Sequence, residues 1–301
     1  MLWILTSLLA SVIITIANII DSHILSKKMP SLSAYLLPMG FAQVLISLGF
    51  FIFFPFTSNP GQLPLLAAIG SALCNAFSLV IILNCLQRGE VSRVVPVAAS
   101  YPIFVAILSI PLLSEMLSAG QWLAIVMTVL GAVLISVQRS EGAGKTKLEK
   151  SFFLLIFAAI LTAFASIGFK YALESMTVWN LVGINCACVA FAVLIFSLRK
   201  KTWNEVRNLA CRTQSLSLLG FNQLIAIAGV AVGFIAMANG PIALVTAIMN
   251  IRPAFILIFS LVISRYFPRF INERLDRRTL LLKIAGIAMI TGGVVIIGLS
   301  G

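Results

Sequence analysis

The chain reads as an all-α integral membrane protein, with ten transmembrane helices forming two inverted five-helix repeats. Three observations predict this. Ten apolar stretches are each long enough to cross a bilayer, 19 of the 21 Lys and Arg residues lie in alternate connections between them, and a weak internal repeat appears at an offset of 151 residues. A hydrocarbon core of about 30 Å takes roughly 20 apolar residues of helix to cross. Lipid offers no partner for a free backbone N–H or C=O, and no alternating barrel pattern is present, so each stretch is helical.

In chain order the spans are 2–24, 33–55, 63–86, 91–113 and 119–138, then 152–173, 177–198, 214–238, 241–263 and 279–300. The first lacks a basic n-region and its positive charges follow the apolar run, so it is a retained helix and not a signal peptide. Ser7, Ser11, Thr15, Asn18 and Ser22 follow i, i+4 and i+3 steps along it, which place them on one face. Gln43 and Ser47 align on the second helix, and Ser71, Asn75 and Ser78 on the third. The sixth repeats the pattern of the first with Thr162, Ser166, Lys170 and Glu174. The fifth and tenth carry few polar groups but hold Gly131, Gly286, Gly292 and Gly293, which permit close helix contact. They are expected to brace each half or to mediate a homodimer. Asn204 to Thr213, with Trp203, is expected to form a short interfacial helix.

With 60% hydrophobic and 10% charged residues, the net charge of +12 is a topology signal and not a nucleic-acid surface. The odd connections hold the basic residues, from Lys27 and Lys28 through Arg139 to Lys150 and Arg199 to Arg212, to Arg265 to Lys283. The even ones hold none. By the positive-inside rule the odd connections are cytoplasmic and both termini lie outside, in a plasma or inner cell membrane. Trp3, Trp122 and Trp179 then sit at outer helix ends as interfacial anchors. The five cysteines show no metal or redox spacing and read as packing residues.

At the 151-residue offset, Gly89, Val94, Pro102, Phe104, Ile107 and Ser109 meet Gly240, Val245, Pro253, Phe255, Ile258 and Ser260, identity at six of 21 positions. Ser11 and Thr15 meet Thr162 and Ser166 at the same offset. Five helices per half is an odd number, so the second half enters the membrane upside down. Inverted repeats mark secondary transporters, with the substrate site near the midplane between halves. Each half also ends on a break, a Pro-containing helix, a Glu and a Gly-containing helix: Gly89, Pro102, Glu115 and Gly131, then Gly240, Pro253, Glu273 and Gly292. This pattern resembles the EamA family of the drug/metabolite transporter superfamily, as two tandem units at 1–138 and 152–301 joined by a basic cytoplasmic linker at 139–151. The resemblance implies a ten-helix fold with a central cavity, and export or exchange of amino acids or other small metabolites. The Glu273 connection departs from it in being longer than its Glu115 counterpart and very basic.

Arg252 is the twelfth of 23 residues in the ninth span, where an Arg costs about 2.5 to 3.5 kcal/mol on insertion scales. Its planar fork suits a substrate carboxylate or phosphate in a wet cavity. The alternative is a structural role on carbonyls freed by Pro253 or on Asn and Ser of neighbouring helices. On an ideal helix Arg252 points roughly 200° from Asn250. Further substrate-binding candidates are Asn18, Thr15, Asn75, Tyr101, Ser166, Asn185, Asn222 and Asn250, because Asn is costly to leave unpaired in lipid. Lys170 with Glu174 at i+4 is expected as an interfacial ion pair or outer gate, and Asp21, beside His23, as a gate or protonation site.

An intramembrane enzyme would need a nucleophile, metal ligands or paired acids in the spans, and none is visible, so no catalytic residue, metal or cofactor is expected. Gly144, Lys145 and Thr146 imitate the end of a P-loop, but its first Gly position is Arg139. No channel filter motif appears. The expected function is secondary transport of a small carboxylate- or phosphate-bearing metabolite by alternating access, against the alternatives of a flippase for a lipid-linked substrate and a multidrug exporter.

Overall fold

A computed structural model describes residues 2–56, 60–87, 97–136, 148–209, 212–266 and 277–300. The first three helices are α1 (Leu2–Lys27), α2 (Leu32–Phe53) and α3 (Gln62–Gln87), followed by α4 (Tyr101–Leu113) and α5 (Ala119–Ser136). Then come α6 (Leu148–Leu173), α7 (Val178–Ser197), the short α8 (Lys200–Arg207) and α9 (Arg212–Asn239). The chain closes with α10 (Ile242–Met249), α11 (Arg252–Tyr266) and α12 (Arg277–Ser300). Among the described residues, eight helical stretches are long and apolar enough to cross a membrane, and Tyr101–Leu113 and Ala119–Ile135 are shorter apolar helices.

Local chemistry sets the helix starts. Ser31 accepts from the Ala34 amide at 3.1 Å and caps α2, while Thr177 accepts from the Asn180 amide at 3.2 Å and caps α7. The ninth span, expected as one helix over 241–263, is two: α10 ends at Met249, Asn250 and Ile251 form a turn, and α11 starts at Arg252. Pro253 explains this, since it has no amide hydrogen and its ring restricts the residue before it. The fourth span breaks in the same place. Residues 97 and 98 are helical, Ala99 and Ser100 turn, and α4 starts at Tyr101 before Pro102. Residues 91–96 of that span, with Gly89 and Pro96, lie outside the described residues.

Helix packing pairs the two halves of the chain throughout. α1 packs along α9 and α3 along α6; α2 packs on α7, and α5 on α12. At the α5–α12 crossing a Cβ on Gly131 would stand 2.6 Å from the Gly286 carbonyl oxygen, and one on Gly286 would stand 2.7 Å from the Gly131 carbonyl oxygen. The glycines expected to brace each half or serve a homodimer are thus engaged within one chain. Where α3 meets α6, Ser71 occupies the place of a Gly168 side chain, its Oγ 1.9 Å from an ideal Cβ.

Leu45, Leu48, Ile52, Leu63, Leu66 and Phe153 are among many large apolar side chains left exposed, as a lipid-facing surface requires. Trp179 stacks on Phe50 and Phe54, with centroids 6.2 and 5.2 Å away, and Trp3 lies over Gly240. The short interfacial helix expected over Asn204 to Thr213 is α8, which starts four residues earlier and ends at Arg207. It buries Thr202 and Val206 and leaves Trp203 exposed, edge-on to Phe41. Glu205 accepts from Ser31 Oγ at 2.6 Å and ties α8 to the start of α2.

Candidate functional site

The two breaks meet. Asn250, in the turn before α11, donates from Nδ2 to the carbonyl of Ala99, in the turn before α4, at 2.7 Å. Tyr101 and Arg252 are the first residues of α4 and α11, and the Arg252 guanidinium is close enough to act electrostatically on the Tyr101 phenol. The Thr246 and Ile248 carbonyls in the last turn of α10 accept the amides of Asn250 and Ile251 at 3.0 and 3.1 Å and have a second lone pair for a side chain. Tyr101 Oη reaches the Thr246 carbonyl at 3.4 Å, and Ser11 Oγ the Ile248 carbonyl at 3.5 Å. Four elements, α1, α4, α10 and α11, therefore converge on one point inside the membrane-spanning bundle.

Arg252 forms no hydrogen bond to any described residue. Its Nε is buried without a partner, yet the residue is partly exposed. The 200° separation from Asn250 on an ideal helix does not apply, because the turn at Asn250 and Ile251 interrupts the wheel. Asn250 is 6% exposed and holds the break, whereas Arg252 is half-buried beside it.

The other candidates separate by contact. Thr15 and Ser166 are buried and donate to backbone carbonyls one turn earlier, Ser11 and Thr162, at 2.7 and 2.9 Å. Asn75 Nδ2 donates to Asn185 Oδ1 at 3.2 Å, which links α3 to α7. Asn222 joins Asp21 at 2.5 Å. Asn18 is exposed, as is Ser22, while Ser7, Ser11 and Thr15 on the same face are fully buried. The polar face of α1 is therefore covered at its Trp3 end and open toward its Lys27 end.

The ion pair expected between Lys170 and Glu174 does not form. Lys170 Nζ donates instead to the carbonyls of Met237, Gly240 and Ala238 at 2.7, 3.0 and 3.4 Å, capping the end of α9. A helix C-terminus carries unsatisfied carbonyls and partial negative charge, which outcompete an exposed carboxylate one turn away. Glu115, part of the family pattern but absent from the expected site, accepts from the Ile242 amide at 2.9 Å and caps α10. Lys170 and Glu115 thus secure the two sides of the Asn239–Pro241 junction, next to a cavity of about 450 Å³ lined also by Gln121 and Asn239. Glu273, its expected counterpart, lies outside the described residues.

The model of the EamA-like transporter family matches residues 1–137, from α1 through α5. One solved crystal structure of a protein superposes on 99% of this chain and 96% of its own, with a TM-score of 0.72 at 15% identity. The EamA-like unit and the remainder of the chain therefore share one fold with that protein. No curated protein matches the chain. With eight helices long and apolar enough to cross a membrane among its described residues, the chain is a multi-pass membrane protein.

Sequence reasoning missed Tyr35 and Glu115 as partners. Tyr35 lies 14 residues after Asp21 and Glu115 127 residues before Ile242, and neither spacing carries a local signal.

Proposed function

We propose that this protein is a secondary transporter of a small solute bearing a carboxylate or phosphate, which binds at the paired breaks of the fourth and ninth spans. The observation that carries this reading is Arg252, a guanidinium placed at a half-helix start with a buried, unpartnered Nε and an accessible remainder. Broken spans near the midplane place half-helix N-termini toward anionic groups in known transporter folds. An unpaired Arg in that setting is costly, and a bidentate anion offsets the cost.

The topology that fits is ten spans in two inverted units, 1–138 and 152–301, joined by the basic segment 139–151. It is supported by reciprocal packing, α1 on α9 matching α6 on α3, and by breaks at Ala99 and Asn250 that lie 151 residues apart. The basic connections face the cytoplasm and both termini face outward. With Asn18 and Ser22 exposed and Ser7, Ser11 and Thr15 covered, the polar face of α1 is accessible from the cytoplasmic side. Rocking of the halves about the paired breaks would close that side and open the other.

Thermal stabilisation of the purified protein by a panel of carboxylates, phosphates, amino acids and cationic drugs tests the site. A ligand that binds the folded state raises its apparent stability. Stabilisation by an anionic or zwitterionic metabolite that disappears in Arg252→Gln supports the reading; equal stabilisation of both proteins removes Arg252 from the site. Cysteine labelling beside Glu205 tests the orientation, which fails if that position reacts from outside.

A further inference from the structure

A second polar cluster lies near the Lys27 end of α1, away from the paired breaks. Asp21 Oδ1 accepts from Tyr35 Oη at 2.6 Å and from Asn222 Nδ2 at 2.5 Å. Asn222 Nδ2 also donates to the Ala17 carbonyl at 3.1 Å. Turning this amide over would set its oxygen against a carboxylate and a carbonyl, so its orientation is fixed by chemistry. Asn222 is 0% exposed, and its Oδ1 is left without a donor. Gln43 Nε2 donates to Gln223 Oε1 at 2.9 Å in the same region. Both donors on Asp21, Tyr35 Oη and Asn222 Nδ2, are therefore neutral.

The cluster occurs at only one of two related helix crossings. At the related crossing of α6 on α3, Gly168 and Ser71 repeat the contact of Ala17 with Asn222 at the 151-residue offset. There Asp21 is replaced by Ala172 and Gln223 by Ala72, both 0% exposed. Shared packing needs no carboxylate at this position. What Asp21 adds is chemistry.

We propose that Asp21 binds a proton as the coupling ion of the transporter, an inference that deepens the preceding reading and rests on it. Asp21 Oδ2, which accepts no hydrogen bond among the described residues, takes a proton from water. The new O–H supplies the donor that Asn222 Oδ1 lacks, closing the two-bond ring that a carboxylic acid forms with a primary amide. No other bond forms or breaks, and the proton returns to water when the acid ionises. Because Asp21 and Tyr35 belong to the first half and Asn222 and Gln223 to the second, each protonation changes the bonds between the halves. The ionisable and charged groups around it are His23, Lys27 and Lys28 along the end of α1 and Tyr35 from α2. Of the other helices packed on α1, α9 brings Asn222 and Gln223, α10 carries no ionisable side chain, and Arg252 of α11 sits at the paired breaks.

Infrared difference spectroscopy of the full chain in lipid vesicles, titrated from mildly alkaline to mildly acidic pH, reads the proton directly. The expected result is a protonated-carboxyl C=O band that is missing in Asp21→Asn and present in Glu205→Gln. If Asp21→Asn does not fold, Asn222→Ala serves, and the band shifts in frequency because the acid has lost its partner. A band that persists in Asp21→Asn, or stays unmoved in Asn222→Ala, overturns the proposal. The same vesicles loaded with a pH-sensitive dye test the coupling. Addition of a member of the carboxylate, phosphate and amino-acid panel changes the internal pH with wild type and not with Asp21→Asn; an equal change with both overturns it. An Asp21 band with no ligand-driven pH change in wild type counts against the transport reading and leaves protonation standing.

Discussion

Asn250 Nδ2 donates to the carbonyl oxygen of Ala99 at 2.7 Å, and the two residues are 151 positions apart, the offset at which the halves of the sequence align. Each residue thus contacts its own repeat counterpart, where two helices break together. Asn250→Ala leaves the Ala99 carbonyl buried and unpaired, which costs about 1–3 kcal/mol. The expected outcome is a lower melting temperature in detergent, with no comparable loss in Asn18→Ala, whose side chain is exposed.

Arg252 has no hydrogen-bond partner among the described residues, and its Nε is buried. A charge-assisted hydrogen bond contributes about 1.5–3 kcal/mol, so Arg252→Gln should weaken binding of an anionic ligand roughly tenfold or more. Arg252→Lys, which keeps the charge but loses the planar fork, should fall between the two. Ligand-dependent melting shifts measured across a concentration series check the ranking.

Lys170 and Glu174 should behave as independent residues. Lys170→Met removes donors from three carbonyls at the end of α9 and is expected to destabilise by about 1–2 kcal/mol, whereas Glu174→Gln changes little. A double-mutant cycle should give no coupling energy; a coupling of the size of the Lys170 effect would restore the ion pair.

Gly131 and Gly286 meet backbone to backbone. Gly131→Ala sets a methyl group 2.6 Å from the Gly286 carbonyl oxygen, and overpacking of this kind costs about 1–3 kcal/mol. Gly49→Ala meets nothing within 4 Å and should be neutral or gain about 0.5–1 kcal/mol from helix propensity. Paired melting curves separate the two outcomes.

The helices were legible because each apolar run leaves the backbone one solution in lipid. Both proline breaks were readable in principle from Pro102 and Pro253, yet hydropathy joins the flanking segments into single spans. Lys170 shows the limit on the polar side. Its i+4 neighbour is visible in the sequence, while the carbonyls it caps belong to α9, 67 to 70 residues later.

The sequence alone determined that this is a multi-pass helical membrane protein with an EamA-like pattern, because hydropathy, basic charges and recurring glycines and prolines are one-dimensional signals. The tertiary structure decided which polar groups satisfy one another and which are left over. Asn75 and Asn185 pair, Asn250 holds the break, Asn222 turns to Asp21, and Arg252 alone among the expected binding residues keeps a buried donor unsatisfied. A hydrogen bond between helices depends on distances of a few ångströms between residues far apart in the chain. Spacing along one strand of sequence does not encode that distance, and only packing sets it.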